Sequence, residues 1–158
     1  MANRVEELPL YSKVREFWDA TTAILHRSGL RKNRRLYEQI EDANDSIDAN
    51  MREGFEQPTD VAFANFVFIA KGSAAEVVAR MEEAYRKNHV TQDDVDQIQK
   101  LAEPLGKMMG GFIKYLCASG FTDRGRHGAA PRPRKPSTPK RRPRRRAIDS
   151  GFRIKDSG

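Results

Sequence analysis

A dense run of basic side chains near the carboxyl end of the chain is the part of the sequence whose residue types point most directly to a chemistry. Ammonium and guanidinium groups at this density attract polyanions, because binding releases the counterions condensed on the polyanion. No aromatic side chain lies within the run, so we expect contacts with a nucleic-acid backbone rather than recognition of particular bases. A solvated linker and a segment that binds an anionic membrane surface are the alternatives, although no amphipathic basic helix supports the second. The basic run consists of Arg132, Arg134, Lys135, Lys140, Arg141, Arg142, Arg144, Arg145 and Arg146.

Histidine and cysteine are the next candidates for chemistry, but their spacing forms no familiar site. His26, His89 and His127 lie far apart and lack the Glu-x-x-His spacing that builds di-iron centres in helical bundles. We therefore expect surface or helix-capping roles for them. Cys117 is the only cysteine, falls in a helical pattern and is predicted to be a buried, unreactive thiol.

The string Lys71-Gly72-Ser73 contains the residue types of a phosphate-binding loop in the wrong order. In such a loop the lysine follows the glycines, and a strand precedes them. No local Ser/His/Asp set is present either, so we expect a protein that is not an enzyme and that needs no cofactor and no metal.

An acidic stripe is predicted on the second helix, on the face opposite Ile40 and Ile47. A solvated helix face is the simplest interpretation. A divalent-cation site is a second, although carboxylates one turn apart on one helix rarely supply enough oxygen ligands. A third is electrostatic: the stripe holds the basic run when no nucleic acid is bound. The stripe consists of Glu38, Glu41, Asp45 and Asp48.

Apolar residues at steps of three and four predict the helices that must position these groups, over residues 9–28, 36–54, 59–88 and 91–120. Gly29 is expected to end the first helix, Thr59 to cap the third, and Thr91 with Asp94 to form a capping box on the fourth. Pro104 should kink or split the fourth helix, because it removes one backbone hydrogen bond. Four amphipathic helices with short connections predict an all-α fold, an antiparallel up-and-down four-helix bundle.

Charge and proline content divide the 158-residue chain into two parts. Residues 1–121 contain 16 Lys and Arg against 19 Asp and Glu, a net charge of −3, whereas residues 122–158 contain 13 against 3, a net charge of +10. Five of the eight prolines lie in the second part, which we predict to be a mostly disordered basic tail that follows the bundle. The single cysteine and the absence of an apolar leader favour the cytoplasm. The longest uncharged stretch, residues 61–70, is too short to span a bilayer.

The third helix carries apolar residues beyond its main stripe. A helix that is apolar around more than about half of its circumference is central in a core or forms an interface. No helix is central in a four-helix bundle, so we expect homo-oligomerisation. The second apolar side consists of Phe68, Ile69, Ala75, Val78 and Ala79.

Two stretches, SIDANMREG at residues 46–54 and FANFVFIAKGSAAE at residues 63–76, resemble a bacterial family of four-helix-bundle proteins. Members of this family were first described as open reading frames in intervening sequences of large-subunit ribosomal RNA genes. The resemblance covers residues 10–116 and implies a homopentameric bundle with an association with nucleic acid. The accessory protein of diversity-generating retroelements, which holds RNA and a reverse transcriptase, is similar in structure. Family members are usually arginine-rich in the second helix, where this chain has the acidic stripe.

The matched motif residues also have physical interpretations of their own. Gly54 is predicted to be a helix-terminal glycine with positive φ, and Gly72 a point where two helices come close. Asn50 is expected to form a hydrogen bond across the bundle, and Glu53 is a candidate partner for Lys71. A structural role and a ligand or partner site are both open for this set, which consists of Ser46, Asn50, Glu53, Gly54, Lys71, Gly72, Ser73 and Glu76.

The sequence thus predicts an oligomeric, non-enzymatic four-helix-bundle protein whose basic tail binds RNA or DNA backbones without sequence preference. The alternative is a protein-interaction adaptor, such as an accessory subunit of a reverse transcriptase, in which the tail only assists.

Overall fold

The computed structural model describes residues 2–119, and within them the fold is all-α. Helix α1 spans Pro9–Arg27, α2 Arg34–Phe55, α3 Asp60–Arg86 and α4 Gln92–Ala118, and two short 3-10 helices lie at Val5–Glu7 and Gly29–Lys32. Each helix packs against the next along the chain, and α1 also packs against α4, which closes the bundle. The predicted four-helix bundle is confirmed. The basic run and the predicted helix end at Gly120 lie outside the described residues.

Side-chain caps at the starts of the helices explain where they begin. Thr59 accepts a hydrogen bond from the Ala62 amide at 3.1 Å. Thr91 and Asp94 cap each other's amides at 3.2 and 2.9 Å, which is the predicted capping box. Asn88, with φ of 59°, takes the left-handed conformation that ends α3. The first helix ends at Arg27 with Ser28 as its cap, one residue before the glycine expected to end it.

The core lies along the bundle axis and is built from the apolar stripes of all four helices. Burial of each of these large side chains contributes about 1.5–3 kcal/mol. The spacing of three and four residues that predicted the helices therefore also predicted which residues meet. Those with no exposed surface include Val14, Phe17, Ile24, Ile40, Ile47, Met51, Val67, Val77, Met81, Ile98, Leu105 and Met109.

Gly54 lies inside α2 rather than after its end, and the prediction of a helix-terminal glycine with positive φ is wrong. A Cβ added at this position would lie 2.6 Å from Cδ2 of Phe63 and 2.7 Å from Cβ of Phe66. Glycine is therefore needed here because α3 crosses close to the backbone of α2.

Pro104 does not split α4, which is assigned as one helix from Gln92 to Ala118. Pro104 and Lys100 are both exposed, so the Lys100 carbonyl that loses its helical partner is placed where water can hydrate it. The predicted break is avoided because the missing hydrogen bond lies on the solvent side of the helix.

Helix α3 is long and apolar enough by length and composition to cross a membrane, with a mean hydropathy of 1.5 over an eighteen-residue window. The longest uncharged stretch of the sequence is shorter than this helix, because Lys71 and Glu76 interrupt its apolar residues. One third of that window is buried within the bundle. A core helix of a soluble protein meets the same criterion, so the finding describes composition alone.

Candidate functional surfaces

Two serines of the matched motif form a polar contact between α2 and α3. The hydroxyls of Ser46 and Ser73 lie 3.0 Å apart, and the Asn50 amide donates to the Ser46 carbonyl at 2.7 Å and to its hydroxyl at 3.0 Å. Asn50 was expected to bridge the bundle, but its short side chain reaches back to the preceding turn of its own helix instead. The interhelical contact is made by the serines, and Asn50 orients one of them.

Apart from the buried Gly54, the remaining motif residues face solvent. Glu53 and Lys71 form no ion pair within the described part of the chain, so the proposed pairing is wrong; Lys71 projects toward α4 instead. Gly72 is exposed, and a Cβ added there would meet nothing within 4 Å, so none of the other described helices approaches it. Glu76 is exposed as well. The motif therefore has a packing half, with Gly54 and the serine contact, and a solvent-facing half.

Part of the acidic stripe is engaged by side chains of α1 and by Arg52 of its own helix. Asp48 accepts hydrogen bonds from the Tyr11 hydroxyl and, at 3.0 Å, from Nε of Arg52. Asp45 accepts one from Nε1 of Trp18 at 2.9 Å. Burial first, and then the hydrogen bond to Asp48, raise the pKa of Tyr11 to about 12. The solvated-face interpretation is therefore incomplete, because the stripe is in part an α1–α2 contact, and fewer of its carboxylates are available to a cation or a basic segment.

The isolated histidines and the cysteine do not assemble into a site. Nε2 of His89 lies 3.5 Å from Nδ2 of Asn33, His26 is exposed, and His127 lies outside the described residues. Among residues 2–119 no group of three or more His, Cys, Asp or Glu side chains is positioned to hold a metal. Cys117 is exposed rather than buried, because the buried stripe of α4 passes through its neighbour Leu116.

A basic groove between α3 and α4 is a feature that motif-based reasoning missed. It is a shallow depression, open to solvent, with a volume of about 550 Å³. The signal in the sequence was the pair Lys107 and Lys114, seven residues apart, with glycines between them. We call this the lysine–glycine groove, and it is lined by Lys71, Ala102, Glu103, Gly106, Lys107, Gly110, Gly111 and Lys114.

The outer face of α3 exposes large apolar side chains. Phe68 is 69% exposed, Val61 55% and Ile69 50%. Monomeric proteins rarely leave contiguous large apolar side chains in water. The prediction that α3 is apolar on two sides is confirmed, and residues 2–119 cover only one of those sides.

The four helices, their short connections and the polar contact between α2 and α3 define a four-helix-bundle protein. The family described as 23S rRNA-intervening sequence protein matches residues 6–111, so the chain belongs to that family. This confirms the resemblance based on the two motifs.

A solved structure is also similar to this chain. It is the crystal structure, at 1.70 Å resolution, of a protein with unknown function from the S23 ribosomal protein family of Bacteroides thetaiotaomicron VPI-5482. The TM-score is 0.59 at 23% identity, and the match covers 66% of this chain and 98% of the other. At this identity the likeness supports the fold alone. No curated protein matches the chain significantly.

Proposed function

We propose that this protein is a non-enzymatic, homo-oligomeric scaffold that binds RNA or DNA backbones through the basic run in residues 122–158. The observation that carries the proposal is the division of charge: −3 over residues 1–121 and +10 over residues 122–158. Binding driven by phosphate contacts is strong at low salt and indifferent to sequence.

The bundle surface gives this division a physical basis. Many of its basic side chains are engaged locally: Arg34 pairs with Glu38 at 2.7 Å, and Arg80 and Lys87 both pair with Glu83. The contacts with Lys87 and Arg80 hold the pKa of Glu83 at about 2, chiefly through the hydrogen bond from Lys87. Paired charges attract a polyanion weakly, whereas the basic run has few acids near it in sequence.

The exposed outer face of α3 supports the oligomeric part of the proposal. Copies of the bundle that associate through Phe68 and Ile69 would present several basic runs together. Linked binding segments can exceed the affinity of one segment by about 10²–10⁴-fold when the geometry allows simultaneous contact. The family resemblance makes a pentamer the preferred assembly, and the bacterial cytoplasm its location.

A mobility-shift titration over a series of salt concentrations tests the proposal. The chain is compared with a version that ends at Phe121 and with a full-length variant in which the nine residues of the basic run are replaced by glutamine. We expect both altered proteins to bind duplex DNA far more weakly. The salt slope should become shallower by about 0.9 for each phosphate that the altered protein no longer neutralises.

Circular dichroism of the three proteins is the control, since all should show the same helical content. If the altered proteins bind as tightly as the full chain, with the same salt slope, the basic run is not the binding element.

The second candidate is a protein-interaction adaptor, favoured by the same apolar face of α3. In this case Phe68 and Ile69 contact a different protein, such as a reverse transcriptase, and the basic run assists. A monomeric mass in solution, together with no binding to nucleic acid by any of the three proteins, would select the adaptor.

A further inference from the structure

We propose that the lysine–glycine groove binds single-stranded nucleic acid, with phosphates against Lys71, Lys107 and Lys114 and a base stacked on Tyr115. The inference rests on the proposed function, since it adds a second contact surface on the bundle itself for the same class of ligand.

The charges in the groove favour a phosphate. Within the described residues Lys71 and Lys114 form no ion pair, and Lys107 pairs only with Glu103, at 2.7 Å. From residue 105 to its end at Ala118, α4 contains two lysines and no acidic residue. This part of the surface is thus locally positive on a bundle whose net charge is negative, and an incoming phosphate meets one carboxylate, which is already engaged.

The glycines lower the floor of the groove to the level of the α4 backbone. A Cβ added at Gly106 or Gly111 would meet nothing within 4 Å, and one added at Gly110 would meet only Nζ of Lys71, at 3.5 Å. Glycine is unfavourable inside a helix, and packing among residues 2–119 requires none of these three. Glycine also permits the close approach of a ligand to the backbone, and such an approach explains why glycine occupies these three positions.

Tyr115 supplies an aromatic ring, which the basic run lacks. Its side chain is 67% exposed, lies one turn beyond Gly111 and is stacked beside Phe112 with an angle of 13° between the rings. Tyr115 directly follows Lys114 in α4 and lies outside the lining of the groove, so a base stacked on it belongs to a nucleotide next to those held by the lysines. Aromatic rings beside basic grooves are the means by which proteins bind single strands, because every base can stack. A base in a duplex has no free face, so Tyr115 favours a single strand over duplex DNA.

The decisive measurement uses the full chain, a fluorescent single-stranded oligouridine and a duplex DNA of equal length. Lys71→Gln with Lys114→Gln removes the two unpaired charges, and Tyr115→Ala removes the ring. The matched controls are Lys32→Gln with Lys100→Gln, which remove two exposed charges that form no ion pair among residues 2–119 and lie outside the groove, and Tyr115→Phe, which keeps the ring.

We expect Tyr115→Ala to weaken binding of the single strand by roughly tenfold and to leave duplex binding within about twofold, while Tyr115→Phe binds as the unaltered chain does. The groove lysine pair should reduce the single-strand salt slope by about 1.4, that is 0.7 for each phosphate, and the control pair should leave it unchanged. Equal binding by groove and control variants overturns the inference.

Other occupants give distinguishable results. If the groove variants change the molar mass in solution, a second copy of this chain fills the groove and the inference is wrong. Tighter binding of the full chain to phosphatidylserine vesicles than to oligouridine, abolished in the same variants, would also overturn it. Inorganic phosphate that shifts the Gly110 and Gly111 amide signals as strongly as oligouridine would show a site for the free ion and not for a strand.

Failure of this inference can be separated from failure of the proposed function. The glutamine variant of the basic run is titrated with oligouridine in parallel, and its Gly110 and Gly111 amide signals are followed. Shifts that persist while duplex binding is abolished support both proposals. If this variant loses duplex binding and its Gly110 and Gly111 signals do not shift with oligouridine, the basic run remains the binding element and the inference about the groove is overturned.

Discussion

Gly54 and Gly72 lie inside helices, yet the space around them differs. At Gly54 the side chains of Phe63 and Phe66 fill the position of a Cβ, whereas at Gly72 that position is open. The matched motif therefore contains one glycine that the fold of this chain requires and one that it does not. Composition and spacing could not distinguish them, because the difference depends on where α3 crosses α2.

Substitution of these two glycines should change stability in opposite directions. Gly54→Ala should lower the free energy of unfolding by about 1–3 kcal/mol, because the Cβ forces two phenylalanines to move. Gly72→Ala should raise it by about 0.5–1 kcal/mol, because alanine is the better helix former. Denaturant unfolding measures both. A loss at Gly72→Ala that depends on protein concentration would instead show that this position contacts another copy.

Tyr11 should make stability sensitive to alkaline pH. Its pKa is raised to about 12, from an ordinary value of about 10, by burial and by the hydrogen bond to Asp48. The folded state thus favours the neutral phenol, so this contribution is complete below pH 10 and is lost as the pH rises toward 12. Tyr11→Phe should lack this decline when unfolding is followed across the same range. Tyr115→Phe, at an exposed tyrosine, is the control and should keep it.

Among the helices, α3 is the one with apolar side chains on two sides. One side, including Val67, Val77 and Met81, is fully buried in the bundle, and the other exposes Phe68 and Ile69. The two apolar sides explain why its composition also meets the criterion for a membrane span. The helix lies at the perimeter of the bundle, in contact with α2 and α4, so the other described elements leave its second side exposed.

Polar substitution of that second side should separate assembly from folding. Phe68→Ser with Ile69→Ser should lower the molar mass measured by light scattering to that of one chain, with each bundle's own stability changed by about 0.5 kcal/mol or less per site. Phe63→Ala, in the core, is the contrasting variant and should cost about 3–5 kcal/mol. An unchanged mass of the double variant would place the oligomer interface elsewhere, and a monomeric unaltered chain would refute oligomerisation.

On the scale of the whole molecule, an acidic scaffold and a basic segment share one chain. The total charge of +7 describes neither part. It arises from a bundle at −3, where many charges are paired in place, and from residues 122–158 at +10. Interactions with polyanions should therefore follow the second part, with the lysine–glycine groove as the exception that the net charge of the bundle conceals.

Ion exchange at neutral pH offers a direct check of this division. The full chain should bind a cation exchanger, because the basic segment dominates its contacts with the resin. The protein that ends at Phe121 should bind an anion exchanger instead. If the shortened protein is also retained by the cation exchanger, positive groups on the bundle, such as those of the groove, outweigh its net charge.

The sequence alone determined the helices, their order and most of their ends, because periodicity and capping depend on residues three or four positions apart. It also determined the two-sided character of α3 and the division of charge. Only the tertiary structure decided that Ser46 meets Ser73, that Gly54 lies under Phe63, that Lys71 points toward α4 and that Cys117 is exposed. These features depend on the crossing and rotation of neighbouring helices, which residues distant in the chain fix together. A local pattern carries no information about them.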